Sequence, residues 1–234
     1  MIKLALVGKN IKHSRSAEIY KKLIGSDVQY DLLDYADSSQ IPSVSKLFET
    51  YQGINITSPY KLHFLNQVQL SSQARTLGAI NCIIFKDNHY IGENTDYLAI
   101  IDILNRFKSS NQNVNVVILG DGVMSHITQV ALTSLKMEYQ IYSRKLTKQF
   151  NQLNLTTIFD QSFKSDGFRL VINTCSRDYV FKGIIDKKIS FWDYNYNFPD
   201  RLLSLGKNSK QYIDGSEMLE LQAKYALANW SITN

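Results

Sequence analysis

Short apolar runs alternate with amphipathic stretches almost from one end of the chain to the other, which is the pattern of an α/β protein with parallel strands rather than of a sandwich or a bundle. A first series predicts strands over residues 2–8 (IKLALVG), 29–35 (QYDLLDY), 51–57 (YQGINIT), 79–85 (AINCIIF) and 89–94 (HYIGEN). A second predicts strands over 114–120 (VNVVILG), 139–143 (YQIYS), 155–159 (LTTIF), 169–174 (RLVINT) and 189–194 (ISFWDY), with helices between them. The helix expected over 96–107 places Tyr97, Ile100, Ile101 and Leu104 at helical spacing. The last helix, from residue 216 on, has Met218, Leu219, Gln222, Tyr225 and Ala226 on one stripe. Both are long enough to brace two domains, and the polar stretch 108–115 (KSSNQNVN) is the expected joint.

Composition narrows the class. With 234 residues and 44% hydrophobic content, the chain can offset its folding entropy by burial, which excludes a disordered or fibrous protein. At about 150 residues per domain it forms one large domain or two small ones. Cys82 and Cys175 sit in apolar runs with no CxxC pair and no histidine at ligand spacing, so they read as structural thiols and no metal is expected. The opening MIKLALVG is too short for the apolar region of a signal peptide, and nowhere do about 18 apolar residues run together, so a cytoplasmic protein without a membrane span is expected. The net charge of +5 comes from 26 basic and 21 acidic residues that are scattered along the chain. That, with 14 Tyr and 11 Phe spread evenly, disfavours nucleic acid and favours a small anionic ligand. Monomer and homodimer are both open.

The second strand series has the order of a doubly wound, Rossmann-type half, and its first member runs into GDGVMS and then a helix. There Gly120 would allow the tight turn, Gly122 would let the backbone approach a pyrophosphate, and Ser125 is small enough for helix-on-strand packing. The helix N-terminus offers free N–H groups to an anion. The same stretch also fits an ordinary strand-to-helix turn, and Asp121 and Val123 add charge and bulk to it. About twenty residues on, where an acidic residue would meet a ribose 2′-hydroxyl, the chain has Arg144 and Lys145 with Lys148 nearby, groups that match a 2′-phosphate and so favour NADP over NAD. A solvated basic loop is the alternative.

In the first half, NITSPYK (55–61) reads as a strand end opening a helix, with Ser58 as N-cap, Pro59 as first helical residue and Lys61 in the first turn, where the dipole disfavours a cation. In GENTD (92–96), Thr95 is expected to cap a helix with Asp96 in its first turn. His13, His63, His89 and His126 lack partners at motif spacing and read as loop, surface or packing residues, and Trp192 and Trp230 as packing.

The ordered set HSRS (13–16), NITSPYK, GAIN (78–81), GENTD, GDGVMS, SRK (143–145), DYNYNFP (193–199) and GSEMLELQ (215–222) resembles the shikimate dehydrogenase family over essentially the whole chain. The resemblance implies two α/β domains about a cleft. An N-terminal substrate domain would span 1–97, a Rossmann-type NADP-binding domain 98–214, and a C-terminal helix in 215–234 would return to the substrate domain. It implies NADPH-dependent reduction of 3-dehydroshikimate to shikimate, with Lys61 and Asp96 as the catalytic pair. Ser14, Ser16, Thr57, Asn81, Tyr196 and Gln222 would contact substrate, and Gly120, Gly122, Ser125, Ser143, Arg144, Lys145 and Gly215 the cofactor. The residue types suit a polyhydroxylated ring acid, since a polar group left unpaired on burial costs about 1–3 kcal/mol and so rejects wrong substrates.

The chain departs from the family pattern at Ala17 for proline, Tyr20 for histidine, Ala99 for glycine, and GDGVM where the phosphate loop reads GxGGA. Substrate-side positions are thus intact and cofactor-side positions altered. A paralogue acting on quinate or another ring hydroxy acid, and a non-catalytic shikimate-binding protein, are the alternatives.

Overall fold

The computed structural model describes residues 1–164 and 166–232. The chain forms two compact units, the first made of residues 1–99 and the segment from Leu219 onward, the second of Ile100–Met218.

The first unit contains β1 (Ile2–Gly8), α1 (Ser16–Ile24), β2 (Val28–Asp34), α2 (Val44–Phe48), β3 (Gly53–Ile56), β4 (Gln69–Leu70), α3 (Ser72–Leu77), β5 (Cys82–Lys86) and β6 (His89–Glu93). They form one sheet in the order β2-β1-β3-β5-β6-β4. β2 and β3 run parallel to β1, whereas β5 is antiparallel to β3 and to β6. The β5–β6 reversal is a tight hairpin in which Asp87 and Asn88 both have positive φ, 49° and 60°, a conformation short polar side chains tolerate. Alternation along the strands feeds a core on each face. Val7, Ile54, Ile56 and Ile83 pack with Val44, Leu47, Tyr60 and Phe64 on one side, and Leu4, Cys82 and Ile84 with Ile19, Tyr20, Ala223 and Ala226 on the other.

The last helix, α8 (Ser216–Asn229), supplies those alanines. Just beyond it, Trp230 donates from its indole Nε1 to the Ile83 carbonyl at 2.9 Å. Its ring lies so close to Gly53 that a Cβ there would sit 2.4 Å from the indole. Glycine at 53 therefore lets the C-terminal segment seat on the sheet.

The second unit takes the greater part of α4 (Thr95–Ser110), then β7 (Val114–Leu119), α5 (Val123–Ser134), β8 (Tyr139–Tyr142), α6 (Leu155–Ser162), β9 (Phe168–Asn173), β10 (Ile189–Asp193), α7 (Pro199–Asn208) and β11 (Gln211–Ile213). Its sheet has the order β11-β10-β9-β7-β8 and every pairing is parallel. The order reverses beside β7, and the crevice outside the carboxyl ends at such a point is where open α/β sheets bind ligands. Val117, Leu119, Val171 and Phe191 cluster with Leu155 and Phe159 of α6, Leu205 of α7 and Phe150 from the turn before α6. Among the described residues no helix is long and apolar enough to cross a membrane.

Four local expectations are corrected. Residues 155–159 are helical, not extended: Asn154 Oδ1 caps the Thr157 N–H at 3.1 Å, and Leu155 and Phe159, four apart, are the buried positions. No helix opens at Ser58. The Ser58–Pro59 bond is cis, and residues 58–67 form consecutive turns, with Tyr60 N bonded to Thr57 O, His63 N to Tyr60 O and Gln67 N to Phe64 O. Asn94 rather than Thr95 caps α4, its Oδ1 accepting from the Tyr97 N–H at 3.1 Å. The polar stretch 108–115 lies wholly within the second unit, as the end of α4 and the entry to β7.

Candidate active site

In the first unit, sheet topology gathers the polar residues at one edge. β1 and β3 are parallel in the register Val7↔Ile56, so the residues after both strands, Ser14 in the loop before α1 and Ser16 at its first position after β1, and Thr57 and Lys61 after β3, leave from the same end. β5 runs the opposite way in the register Asn55↔Cys82, so the residue that enters it, Asn81, lies at that end too. β6 reverses again, opposite Cys82 at Glu93, and delivers Asn94, Thr95 and Asp96 there.

At this edge the Lys61 Nζ forms an ion pair with Asp96 Oδ2, and the two side chains are only 9% and 11% exposed. Each charge offsets part of the cost of burying the other. The segment 79–81 holds both partners in place. The Ile80 N–H donates to the Lys61 carbonyl at 3.0 Å, Asn81 Oδ1 accepts the Thr95 N–H at 2.7 Å, and Asn94 Nδ2 donates to the Ala79 carbonyl at 2.9 Å.

Asn81 Nδ2 reaches Thr95 Oγ1 at 3.0 Å and Gln222 Oε1 at 3.5 Å, and Gln222 itself is anchored through Nε2 to the Leu219 carbonyl at 3.0 Å. Lys61, Asp96, Asn81, Thr95 and Gln222 are therefore one buried polar cluster built from four separate chain segments. Ser14 and Ser16 are hydrogen-bonded to each other, Oγ to Oγ at 3.1 Å, and the Ser16 N–H donates to Ser14 Oγ at 3.2 Å. Thr57 is tied by its N–H to the Val7 carbonyl at 2.9 Å. An amine paired with a carboxylate among neutral amides and hydroxyls can exchange a proton with a bound alcohol or carbonyl and fix its other hydroxyls.

Asn55 is a residue of this region that sequence reading passes over. It is 3% exposed, and its Oδ1 accepts from two phenols, Tyr20 at 2.7 Å and Tyr30 at 2.9 Å, while its Nδ2 donates to the Asn81 carbonyl at 3.2 Å. The available signal is an amide in the middle of a strand, flanked on both sides by isoleucine. Thr95 reads as a cap in the sequence, and its place in the cluster becomes visible only in the fold.

In the second unit, β7 ends at Leu119 and the loop Gly120–Asp121–Gly122 leads into α5. Gly120 has φ +115° and a Cβ there would lie 2.6 Å from Thr174 Oγ1, so both the backbone and the space demand glycine. Gly122 faces open space, and no side chain caps the first turn of α5, which leaves its N–H groups to an incoming anion. Ser125 is fully buried, and its Oγ accepts from Gln129 Nε2 at 3.2 Å. Ser143, at the end of β8, is buried with an unpartnered Oγ, and Arg144 and Lys145 after it are exposed. This donor set fits a dinucleotide carrying a 2′-phosphate. The loop's own carboxylate sits in an ion pair, Asp121 Oδ2 to Lys145 Nζ at 3.4 Å.

The second unit also carries Tyr196 and Gly215. Tyr196 is half-buried, its carbonyl accepting from Arg177 Nη1 at 3.1 Å with the guanidinium 5.7 Å from its ring centroid. The segment that bears it is fixed by buried Asp193, which accepts from Asn173, Asn195, Tyr212 and Arg201. At Gly215 a Cβ would fall 2.1 Å from the Tyr194 carbonyl oxygen, so only glycine allows that approach.

Residues 6–83 match the family model described as the shikimate dehydrogenase substrate binding domain. The shikimate dehydrogenase (NADP(+)) of Buchnera aphidicola subsp. Schizaphis graminum is 30% identical over 251 residues, covering 97% of this chain and 90% of that protein. Among solved structures, the shikimate dehydrogenase of Aquifex aeolicus superposes with a TM-score of 0.76 at 21% identity, over 98% of this chain and 92% of that one. The Thermus thermophilus enzyme, solved in complex with shikimate, gives 0.74 at 19% identity, over 99% and 93%. These last two establish the fold, two α/β units of which the second is of the Rossmann type. Joined to full-length similarity at 30% identity and to a buried lysine–aspartate pair among amides and hydroxyls, they place the chain in the shikimate dehydrogenase family.

Proposed function

We propose that this protein catalyses the reversible NADPH-dependent reduction of 3-dehydroshikimate to shikimate, with the first unit binding the ring acid and the second NADP. The observation that carries the reading is the buried Lys61–Asp96 pair, interlocked through segment 79–81 with Asn81, Thr95 and Gln222. Ser14, Ser16 and Thr57 provide hydroxyls at the same sheet edge for the carboxylate and a ring hydroxyl. Bound NADPH supplies the hydride.

The chain's own task is to manage the proton. As the C3 carbonyl becomes an alkoxide its oxygen takes a proton from the Lys61 ammonium, and in the reverse direction neutral Lys61 removes it from the alcohol. Asp96 stabilises the ammonium and aims it, and the two amides orient the neighbouring hydroxyls. Acid–base assistance of this kind is worth about 10²–10⁴-fold. For the cofactor, Gly120, Gly122 and the α5 N–H groups would hold the pyrophosphate, with Ser125 and Gly215 permitting the close packing around it. Ser143, Arg144 and Lys145 would hold the 2′-phosphate. Two unpaired thiols, Cys82 and Cys175, agree with a reducing cytoplasmic setting, in which the protein acts as a monomer or homodimer without nucleic acid.

Steady-state turnover of shikimate and quinate, each with NADP and with NAD, tests this. The expected result is a kcat/KM highest for shikimate with NADP. Preference for quinate would reassign the substrate, and calorimetric binding of shikimate without any binding of NADPH would replace the enzyme with a binding protein.

A further inference from the structure

Segment 79–81 holds both members of the Lys61–Asp96 pair through main-chain and amide hydrogen bonds, so whatever fixes that segment fixes the pair. Its carbonyl at Asn81 accepts two hydrogen bonds, from the Ile56 N–H at 2.8 Å and from Asn55 Nδ2 at 3.2 Å. A free asparagine amide could turn either end toward that carbonyl. The Asn81 carbonyl accepts only and so takes Nδ2, and the Tyr20 and Tyr30 hydroxyls, both donating to Asn55 Oδ1, hold the other end of the amide in that orientation. With Oδ1 turned the other way, two carbonyl oxygens would oppose each other in a site without competing solvent.

The phenols are themselves held rigidly. Tyr20 is fully buried, its ring stacks on Tyr30 with centroids 4.6 Å apart, and the Trp230 ring is tilted against it at 5.8 Å. Burial, then the neighbouring Tyr30, pushes the Tyr20 hydroxyl well above its usual range, so it remains a donor throughout the working pH. Both phenols reach segment 79–81 through Asn55, the residue that joins them to the Asn81 carbonyl.

We infer that Tyr20 and Tyr30 are positioning residues that lock the Asn55 amide and, through Asn81, set the geometry of the Lys61–Asp96 pair. This rests on the dehydrogenase reading for its kinetic consequence, but its structural half is independent of it.

Tyr20→Phe and Tyr30→Phe remove one hydroxyl each and keep the rings. In the double variant, kcat for shikimate should fall about tenfold while KM for NADP changes less than about twofold, a loss on the reacting centre rather than on cofactor binding. In parallel, acetic anhydride labelling read by peptide mass spectrometry should show Lys61 acylated about fivefold faster relative to exposed Lys187 than in the wild type, because the paired geometry has loosened. Ile19→Val, which trims the same core next to Tyr20, should leave that ratio unchanged. An unchanged Lys61 ratio in the double variant overturns the inference, whether or not kcat falls. Faster Lys61 labelling in a protein whose wild type turns over neither shikimate nor quinate upholds the positioning role and removes the enzyme assignment instead. Should the double variant not fold, Tyr30→Phe alone carries the same comparison, with about twofold faster labelling expected and no change overturning it.

Discussion

Lys61 shows how a candidate residue can be singled out for a reason that the fold does not keep. From the sequence it stands out as a cation in the first turn of a helix, yet residues 58–67 are turns and there is no dipole for it to oppose. What fixes it is the Ile80 N–H on its carbonyl and the Asp96 carboxylate on its amine, both supplied from a distant part of the chain. Residue type and motif order are legible in the sequence; the partner geometry is not, because it depends on strands meeting in a particular register. Removing the amine leaves the amides and hydroxyls that would hold the ring acid in place. Lys61→Ala is therefore expected to keep shikimate binding within about tenfold and to lower kcat by at least ~10²-fold, as calorimetry and steady-state rates would show. A kcat near that of the wild type would remove Lys61 from the chemistry.

At the scale of elements, β1 and β7 are readable to within a residue, because a strand buried on both faces leaves an unmistakable signature, whereas the run expected to be extended from 79 becomes a strand only at Cys82. The failures have local causes. LTTIF is rich in β-branched and aromatic residues and reads as a strand, but the Asn154 cap and the Leu155/Phe159 spacing make it α6. β4 and β11 have two and three residues, too few for any periodicity to register.

The docking of α8, visible in sequence only as an amphipathic stripe, also has an electrostatic component. Glu220 accepts from Lys224 on its own helix at 2.8 Å and from Lys22 on α1 at 2.9 Å, and these bonds, Lys224 first, hold its carboxyl down at about 2. A carboxyl whose folded pKa lies below its unfolded value contributes stability above the unfolded pKa and loses it as pH falls toward the folded one. Glu220→Gln is thus expected to lower the melting temperature by about 1–4 °C at neutral pH, the scale of a partly exposed pair in a chain this long. The difference should shrink as the pH drops from near 4.5 to about 2. A gap that stays constant across that range would mean that charge at 220 plays no part.

Among the described residues, apolar clusters lie on each face of the first sheet and between the second sheet and the helices α6 and α7. The proposed ligands divide the same way, with the ring-acid residues mainly in the first unit and the nucleotide residues in the second. A ligand that binds only the folded state stabilises it by RT ln(1 + [L]/Kd), about 2.7 kcal/mol at a hundredfold excess over Kd. That stabilisation should appear first in the amides that the ligand touches, since hydrogen exchange proceeds through local as well as global opening. With shikimate alone, exchange is expected to slow in peptides covering 53–61, 79–96 and 219–222. With NADP alone, it should slow in those covering 119–126 and 142–148. The second arm bears directly on the altered loop: Asp121 is paired with Lys145 at 3.4 Å and would compete with a 2′-phosphate for its ammonium, so Asp121→Asn should strengthen the protection by NADP while leaving that by shikimate untouched. Equal protection of both regions by either ligand would show that the sites are not divided between the units in this way, and an absence of NADP protection over 119–126 would show that the Gly120–Gly122 turn does not receive the pyrophosphate.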